Sequence, residues 1–341
     1  MKNRLFLGAM ALLVTLFMLS CHRDGEGLST ATPQKKGSSG KTLEMLVVAN
    51  RDVYCGDTKA LIDSLFGGPQ YGLNQTEPIF SLVNIPVSSF ENTEMFHVHR
   101  NVLKCDISPD NPNKVYKQID VWSAPQVVFE FAVKDRATLD SFLVKYAPLV
   151  LDEMYAAEYR RIEKVYKSTE GVEINQYVKK HFNFDLMFSQ EFMIAKSDPD
   201  FLWVRKETKD FGIGVLVKVL PYSNKNQFSE EEILRTLDTT MKQNVPGSVE
   251  GSYMGTERRL DCQTRTLKMD GQYAVETRGL WRLFGPDFMG GPYVNYTILD
   301  PNGDQIVMLT AYVYCPRKEK RDLLMQVDGI CHSIKFHRDK K

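Results

Sequence analysis

The sequence YVNYTILDPNGDQIVMLTAYVY, residues 293–314, carries the strongest fold signal in the chain. Apolar, aromatic and β-branched residues fill 293–299 and 306–314, a composition that predicts two β-strands. The DPNG sequence at 300–303 predicts a tight turn, because these residue types favour reversal of the backbone. The two strands are therefore expected to pair as an antiparallel hairpin.

Apolar patterns on either side of this hairpin predict further strands and helices. In addition to a β-rich start at 42–49, the predicted strands are 79–85, 99–107, 126–133, 192–196, 202–207, 214–220, 265–269 and 273–280. The predicted helices are 57–66, 136–167, 172–182, one that Ser229 opens, and one that begins at Pro316. The strand at 126–133 is rich in apolar residues, which indicates burial on both faces. Together these elements predict an α+β fold with antiparallel sheets and packed helices.

The N-terminus has the pattern of an export signal. Lys2 and Arg4 precede an apolar run over 5–19, and Ser20 places a small residue before Cys21. A positive start, a short apolar stretch and a small residue at the cleavage site define a secretory signal peptide. The run is shorter than the roughly 20 apolar residues of a membrane-spanning helix. Because its end resembles the lipobox of bacterial lipoproteins, we predict cleavage before Cys21 and lipid attachment to that residue.

This anchor leads to predictions for location and partners. His22 follows the predicted lipid site. An aspartate at this position would resemble an inner-membrane retention signal. Because histidine stands there instead, we expect the protein in the outer membrane. The folded part would face the periplasm or the cell surface. The chain has 43 basic and 43 acidic residues, so no global field attracts nucleic acid. The predicted partners are the membrane, through the lipid anchor, and an envelope protein or a small ligand.

Composition divides the chain into five segments. The predicted segments are a signal peptide (1–20), a lipidated flexible tether (21–41), a first α+β sub-domain (42–168), a helical connection (169–190) and a second α+β sub-domain (191–341). In both sub-domains a strand leads into a helix, after 126–129 and after 305–308. Two interpretations are open: the halves are related, or strand–helix units recur as they do in any α+β protein.

The cysteines and histidines give no metal motif. Five cysteines follow Cys21, and their odd number leaves at least one free thiol: Cys55, Cys105, Cys262, Cys315 and Cys331. Cys105, Cys315 and Cys331 have apolar neighbours and are expected to be buried free thiols. His97 and His99 would share one face of a strand, but a zinc site needs further ligands, so they are interpreted as surface histidines. No metal or cofactor is predicted.

The segment 278–293 is the candidate binding site. An arginine and a tryptophan stand near a glycine-rich stretch, and the candidate residues are Arg278, Trp281, Gly290, Gly291 and Tyr293. Arginine and aromatic side chains dominate many binding surfaces, and glycine lets a backbone approach closely. The alternative is that Trp281 and Arg278 pack over a tight loop inside the domain, since tryptophan is usually well buried.

Two classes of function fit these observations. The first, which we expect, is a binding or structural module of the cell envelope. The second is an exported hydrolase whose site is built from dispersed carboxylates, because such pairs are defined by distance in space and not by sequence. No nucleophile motif or phosphate-binding loop is present, so no catalytic residue is predicted.

Several short stretches together resemble one family. They are 75–80 (QTEPIF), 100–103 (RNVL), 122–126 (WSAPQ), 201–205 (FLWVR), 246–247 (PG), 252–254 (SYM), 276–281 (ETRGLW), 289–292 (MGGP) and 316–321 (PRKEKR). They are similar to an uncharacterised lipoprotein family of double-membraned bacteria, described as a domain of unknown function. The resemblance covers nearly the whole mature chain and implies lipid attachment at Cys21, but it implies no activity.

Overall fold

The structure, a computed structural model, describes residues 35–338 of the 341-residue chain. The predicted signal peptide and the predicted lipid site Cys21 lie outside the described residues. The described part is an α+β fold with a five-stranded sheet, an eight-stranded sheet, a two-stranded ribbon and seven helices, which confirms the predicted fold class. Within it, no helix has the length and apolar content needed to cross a bilayer.

The N-terminal sheet is mixed. Its strands are β1 (Glu44–Val48), β2 (Ser81–Ile85), β3 (Asn101–Ile107), β4 (Lys114–Ile119) and β5 (Val127–Val133), in the order β2-β1-β3-β5-β4. The first four in this order pair in parallel, whereas the edge strand β4 is antiparallel to β5. The expectation of antiparallel sheets therefore does not extend to these four strands. Crossover segments containing helices α1 (Gly56–Gly67), α2 (Val87–Asn92) and α3 (Glu94–His97) return the chain in the same direction.

Two local predictions in this half have different outcomes. Strand β5 is buried on both faces, as its apolar content predicted. The interpretation of His97 and His99 as surface residues of one strand is wrong. His97 ends the short helix α3, and His99 is buried, with its Nε2 2.9 Å from Glu44 Oε1.

The C-terminal sheet is antiparallel throughout. Its strands are β7 (Met193–Asp198), β8 (Phe201–Glu207), β9 (Gly212–Pro221), β10 (Tyr253–Thr256), β11 (Gln263–Met269), β12 (Gln272–Phe284), β13 (Gly290–Leu299) and β14 (Gln305–Tyr314). The order is β10-β12-β13-β14-β9-β8-β7, and β11 pairs with β12. The predicted hairpin is confirmed, because β13 and β14 pair from Leu299 and Ile306 onward. The two-stranded ribbon pairs β6 (Phe184–Asp185) with β15 (Lys335–Phe336).

Four helices pack on these sheets: α4 (Arg136–Ser168), α5 (Val172–Phe182), α6 (Glu230–Asn244) and α7 (Arg321–His332). Helix α7 begins later than Pro316 because Glu77, which is distant in sequence, caps its first turn. The Glu77 carboxylate accepts hydrogen bonds from the backbone N–H groups of Lys320 and Arg321, at 2.8–3.0 Å. Helices α4 and α7 approach closely at Gly329, where a Cβ would lie 2.8 Å from the Ile162 side chain.

The two faces of the C-terminal sheet meet different cores. One face packs against α5, α7 and the C-terminal end of α4, and the other against α6. The N-terminal sheet packs against α1 and α4. The two sheets differ in strand order and direction, so the local strand–helix similarity of the halves does not extend to their topology. The division into sub-domains at 168 and 191 stays a prediction.

Candidate functional site

The face of the C-terminal sheet that carries α6 is hollow beyond the end of that helix. A cavity of about 500 Å³ opens there, next to the segment that follows Asn244. We call it the aromatic cleft, and its main lining residues are Trp203, Trp281, Tyr312, Tyr314, Met254 and Met289. They come from β8, β10, β12, β14 and the turn before β13, so neighbouring strands of one sheet build the cleft.

Glycines on the same face give these aromatic rings their positions. A Cβ at Gly214 would lie 2.7 Å from the Tyr312 ring, and a Cβ at Gly291 would lie 3.3 Å from Trp281 Nε1. Each glycine pairs directly with the strand residue whose ring lies above it. A larger side chain at Gly214 would displace the Tyr312 ring, and one at Gly291 would collide first with the Val313 backbone oxygen, so both positions require glycine.

Hydrogen bonds fix the two tryptophans. Trp203 Nε1 donates to the Tyr312 hydroxyl at 2.9 Å, and Trp281 Nε1 donates to the backbone oxygen of Val313 at 3.1 Å. Burial raises the pKa of Tyr312, so its hydroxyl stays protonated at neutral pH. The rings are therefore held in place before any ligand arrives, which lowers the entropy cost of binding.

A charged pair forms part of the wall. The Arg205 guanidinium lies 4.9 Å from the centre of the Trp203 ring, and its Nη1 is 2.9 Å from Glu207 Oε1. The Arg205 Nε is buried and has no hydrogen-bond acceptor within the described part of the chain. Buried polar atoms normally have a partner, so this N–H marks a position for a water or ligand oxygen.

The turn between β12 and β13, residues 285–289, borders the cleft. The Asp287 carboxylate accepts hydrogen bonds from the Ser248 backbone N–H at 2.9 Å and from its hydroxyl at 2.6 Å. These bonds lower the pKa of Asp287 and tie the turn to the segment after α6. Met289 lines the cleft, whereas the neighbouring Phe288 side chain is 90% exposed.

A second cavity of about 570 Å³ adjoins the first, and we call it the polar lobe. The two share Glu207, Gly212, Met289 and Tyr314 as lining residues. Its charged residues are Glu207, Lys209, Asp210, Arg317 and Lys318. The Lys318 ammonium is 3.1 Å from Asp210 Oδ2. The whole depression is therefore aromatic at one end and charged at the other.

The candidate residues 278–293 belong to β12, β13 and the turn between them. Trp281 lines the cleft, Gly291 lies beneath it, and Tyr293 is buried on the same face. Gly290 opens β13, where a Cβ would lie 2.9 Å from the Trp281 backbone oxygen. Arg278 lies on the opposite face of β12, because it is an odd number of residues from Trp281.

On that opposite face Arg278 belongs to a closed charged cluster, which we define as Arg265, Glu276, Arg278, Tyr296 and Asp328. Arg278 Nε is 2.8 Å from Glu276 Oε1, and its Nη2 is 2.9 Å from Asp328 Oδ2. Arg265 Nε is 3.0 Å from Glu276 Oε1, and the Tyr296 hydroxyl donates to Asp328 at 2.5 Å. The side chains of Glu276 and Asp328 are only 4% and 2% exposed.

This charged cluster is a structural junction between β12, β13 and helix α7. Burial alone would raise the pKa of Glu276, but the attraction of Arg278 and Arg265 lowers it well below its ordinary range. The same attraction raises the pKa of Arg278 against the effect of burial. A carboxyl group held so firmly ionised is poorly suited to deliver or accept a proton near neutral pH.

Sequence reasoning missed most of the cleft. Trp203, Arg205 and Glu207 alternate along β8, and Tyr312 and Tyr314 alternate along β14. Residues two apart in a strand share a face, so this spacing was the available signal. It becomes informative only when β8 and β14 are known to lie on either side of β9 in one sheet.

Cysteines and potential metal ligands lie elsewhere. All five described cysteines are free thiols, and Cys105, Cys315 and Cys331 are buried as predicted. Among residues 35–338, no three histidine, cysteine, aspartate or glutamate side chains come together in a group that could hold a metal ion.

Comparison with known proteins gives two matches. Residues 171–333 match a family described as a domain of unknown function (DUF4837). Residues 38–167 match a second family of the same kind (DUF8532). No curated protein matches the chain. The chain is therefore similar, over nearly all of its described length, to two uncharacterised domain families.

Proposed function

We propose that this chain is a lipid-anchored cell-envelope protein whose folded part binds a small ligand in the aromatic cleft. The observation that carries the proposal is the cleft itself: an open hollow of about 500 Å³ lined by two tryptophans and two tyrosines. Small-molecule sites are typically concave, of roughly 300–1,000 Å³, largely apolar and aromatic, with a few polar groups. The cleft has each of these properties.

The arrangement favours binding over acid–base catalysis. The two carboxylates of the depression, Glu207 and Asp210, are each paired with a basic side chain, Arg205 and Lys318. A glycosidase-type site needs two carboxyl groups with separate roles as acid and as base or nucleophile. The cleft instead presents fixed rings and an unpartnered Arg205 Nε, which are means of recognition.

The proposed location rests on the N-terminal sequence. The apolar run over 5–19 and the Ser20-Cys21 site support export and lipidation, and His22 supports the outer membrane. Several acyl chains on one cysteine hold a protein durably at a bilayer.

A filling variant tests ligand binding. Gly212 lines both cavities, and a Cβ there would meet only the Glu207 side chain at 3.7 Å, an ordinary contact. Gly212→Leu should therefore fill the cleft while the fold is retained. N-phenyl-1-naphthylamine, a neutral aromatic probe whose fluorescence rises in apolar sites, should bind the wild-type protein. The filling variant should lose this binding.

Thr264→Leu is the matched control. It places the same side chain at an exposed position on β11, in the same sheet but outside the cleft. This control should bind the probe as the wild type does. Equal binding by wild type and Gly212→Leu, or no binding by the wild type, would overturn the proposed ligand site.

Lipidation is tested separately in cells. Cys21→Ala should leave an unprocessed precursor that takes up no labelled fatty acid, whereas Cys55→Ala should be processed and labelled normally. Normal labelling of Cys21→Ala would contradict the proposed anchor without affecting the ligand site.

A further inference from the structure

The polar lobe next to the aromatic cleft suggests which class of small molecule binds. Four basic side chains line the joined depression, against the two carboxylates of Glu207 and Asp210: Arg205, Lys209, Arg317 and Lys318. Both carboxylates are already occupied by ion pairs, with Arg205 and with Lys318. The lobe therefore has an excess of positive charge on the side away from the tryptophans.

Two of these basic groups are free to meet a ligand. Within residues 35–338, neither Lys209 nor Arg317 has a hydrogen bond or an ion pair with another side chain, and both are exposed. The turn 208–211 and the segment after β14 bring them to the same cavity. An anionic group between them would gain two partners without breaking an existing ion pair.

Arg205 connects the two ends of the depression. Its guanidinium lies over the Trp203 ring and is bonded to Glu207, yet its buried Nε has no acceptor in the described residues. A ligand oxygen that reached this donor from the aromatic cleft, which Arg205 lines, would satisfy it and remove a desolvation cost. The boundary is formed by Gly212, Tyr314 and Met289, which line both cavities.

We propose that the ligand is an amphipathic anion, an inference that rests on the proposed ligand site. Its ring or apolar chain occupies the aromatic cleft, and its carboxylate, sulfonate or phosphate group lies in the polar lobe near Lys209 and Arg317. Arg205 stands between the two parts. The lining of the combined depression, aromatic at one end and charged at the other, suits a molecule with one apolar end and one charged end better than a uniformly apolar one.

A pair of matched probes tests this assignment. N-phenyl-1-naphthylamine and 8-anilino-1-naphthalenesulfonate share the same aromatic skeleton, and only the second carries a negative charge. The wild type should bind the sulfonate probe more tightly, by about five-fold or more at low salt, as expected for charge pairs near a surface. Added salt should reduce this difference, because it screens exposed charges.

Charge-removing variants locate the effect. Lys209→Gln/Arg317→Gln should weaken binding of the sulfonate probe by about the same factor and leave the neutral probe unchanged. Lys179→Gln/Lys180→Gln removes the same charge from exposed positions of α5 and should change neither affinity. Gly212→Leu should abolish binding of both probes at this site.

The outcomes separate the two proposals. Equal affinities for the two probes, or no effect of the polar-lobe variant on the sulfonate probe, would overturn the amphipathic anion while the ligand site stands. Probe binding that Gly212→Leu does not affect would overturn the ligand site itself, and the anion assignment with it.

Discussion

Arg278 and Trp281 lie three residues apart on β12, yet they belong to opposite environments. Arg278 enters a closed cluster in which its charge is balanced by Glu276 and Asp328. Trp281 is almost fully buried too, but it forms one wall of an open cavity. One face of the sheet therefore pairs its charges with one another, with only the Arg278 Nη1 donor unpartnered in the described residues among the arginines of the cluster, whereas the other leaves open space beside its rings. Open space beside fixed side chains therefore distinguishes a candidate site better than residue type does.

The comparison also separates stability from function. On the charged face, both carboxylates are paired with Arg278, so its removal leaves Glu276 and Asp328 buried and ionised with fewer partners. On the aromatic face, the glycines and rings leave a hollow that the protein does not fill. Substitutions on the first face should affect unfolding, whereas substitutions in the cleft should affect binding and, where the side chain is buried, unfolding as well.

The largest effect is expected from Arg278→Leu. It leaves the carboxylates of Glu276 and Asp328 buried with fewer partners, and breaking a buried ion pair costs about 3–5 kcal/mol. The measurement is the free energy of unfolding in urea. Arg282→Leu, on the same face of the same strand, is the control: Arg282 is 36% exposed and should cost less than about 1 kcal/mol. Similar losses of unfolding free energy for both variants would contradict the role of the charged cluster as a structural junction.

Trp281→Ala is expected to have the next largest effect. Truncation of a buried tryptophan costs about 3–5 kcal/mol, and the lower end applies here because part of its surroundings is already cavity. Trp122→Ala, whose side chain is 38% exposed, is the control and should cost clearly less. A loss below about 1 kcal/mol for Trp281→Ala would show that the ring is not part of the core.

The sequence predicted most helices and strands well, because the signals for them are local. The hairpin at 293–314 and the long helix α4 follow from turn residues and apolar spacing over neighbouring positions. The direction of β1 to β3 was not predicted, since apolar content does not distinguish parallel from antiparallel pairing. The start of α7 was also wrong, because its capping residue, Glu77, is more than 240 residues away in sequence.

The candidate site illustrates the same limit. The strand β12 was expected to end at Leu280, but it continues to Phe284. Trp281 therefore lies on the same strand as Arg278, and alternation along that strand puts the two side chains on opposite faces. The remaining cleft residues come from β8 and β14, which meet around β9 only in the folded sheet.

Acid should weaken the charged face. Attraction by Arg278 and Arg265 lowers the pKa of Glu276 below its ordinary value of 4.5, and burial lowers the pKa of His332 below 6.5. In both cases the unfolded chain binds protons more readily, so stability is lost as pH falls, first below 6.5 and then below 4.5. Thermal unfolding at decreasing pH measures this loss. Stability that stays constant or rises over this range would contradict the claim that the folded protein stabilises the ionised form of Glu276.

Tyr312→Phe should have a smaller effect, on the aromatic face. It removes the acceptor of the buried Trp203 Nε1–H, and an unsatisfied buried donor costs about 1–3 kcal/mol. Tyr314→Phe is the control, because the Tyr314 hydroxyl has no hydrogen bond within residues 35–338. Urea unfolding should separate the two variants. Equal stability of both would show that the Trp203 bond contributes nothing measurable.

The smallest effect on stability is expected from two glycines of β9, and it tests most directly whether the aromatic cleft is open. Gly212 and Gly214 share a face, but a Cβ at Gly212 meets only the Glu207 side chain at 3.7 Å. At Gly214 it would lie 2.7 Å from both the Tyr312 ring and the Val204 backbone oxygen. Gly212→Ala should therefore leave stability unchanged or raise it by up to about 1 kcal/mol, since alanine loses less backbone entropy than glycine on folding. Gly214→Ala should destabilise the protein by displacing the ring or the neighbouring strand. If both variants unfold alike in urea, the space beside Gly212 is not open, and the comparison between the two faces of the sheet fails.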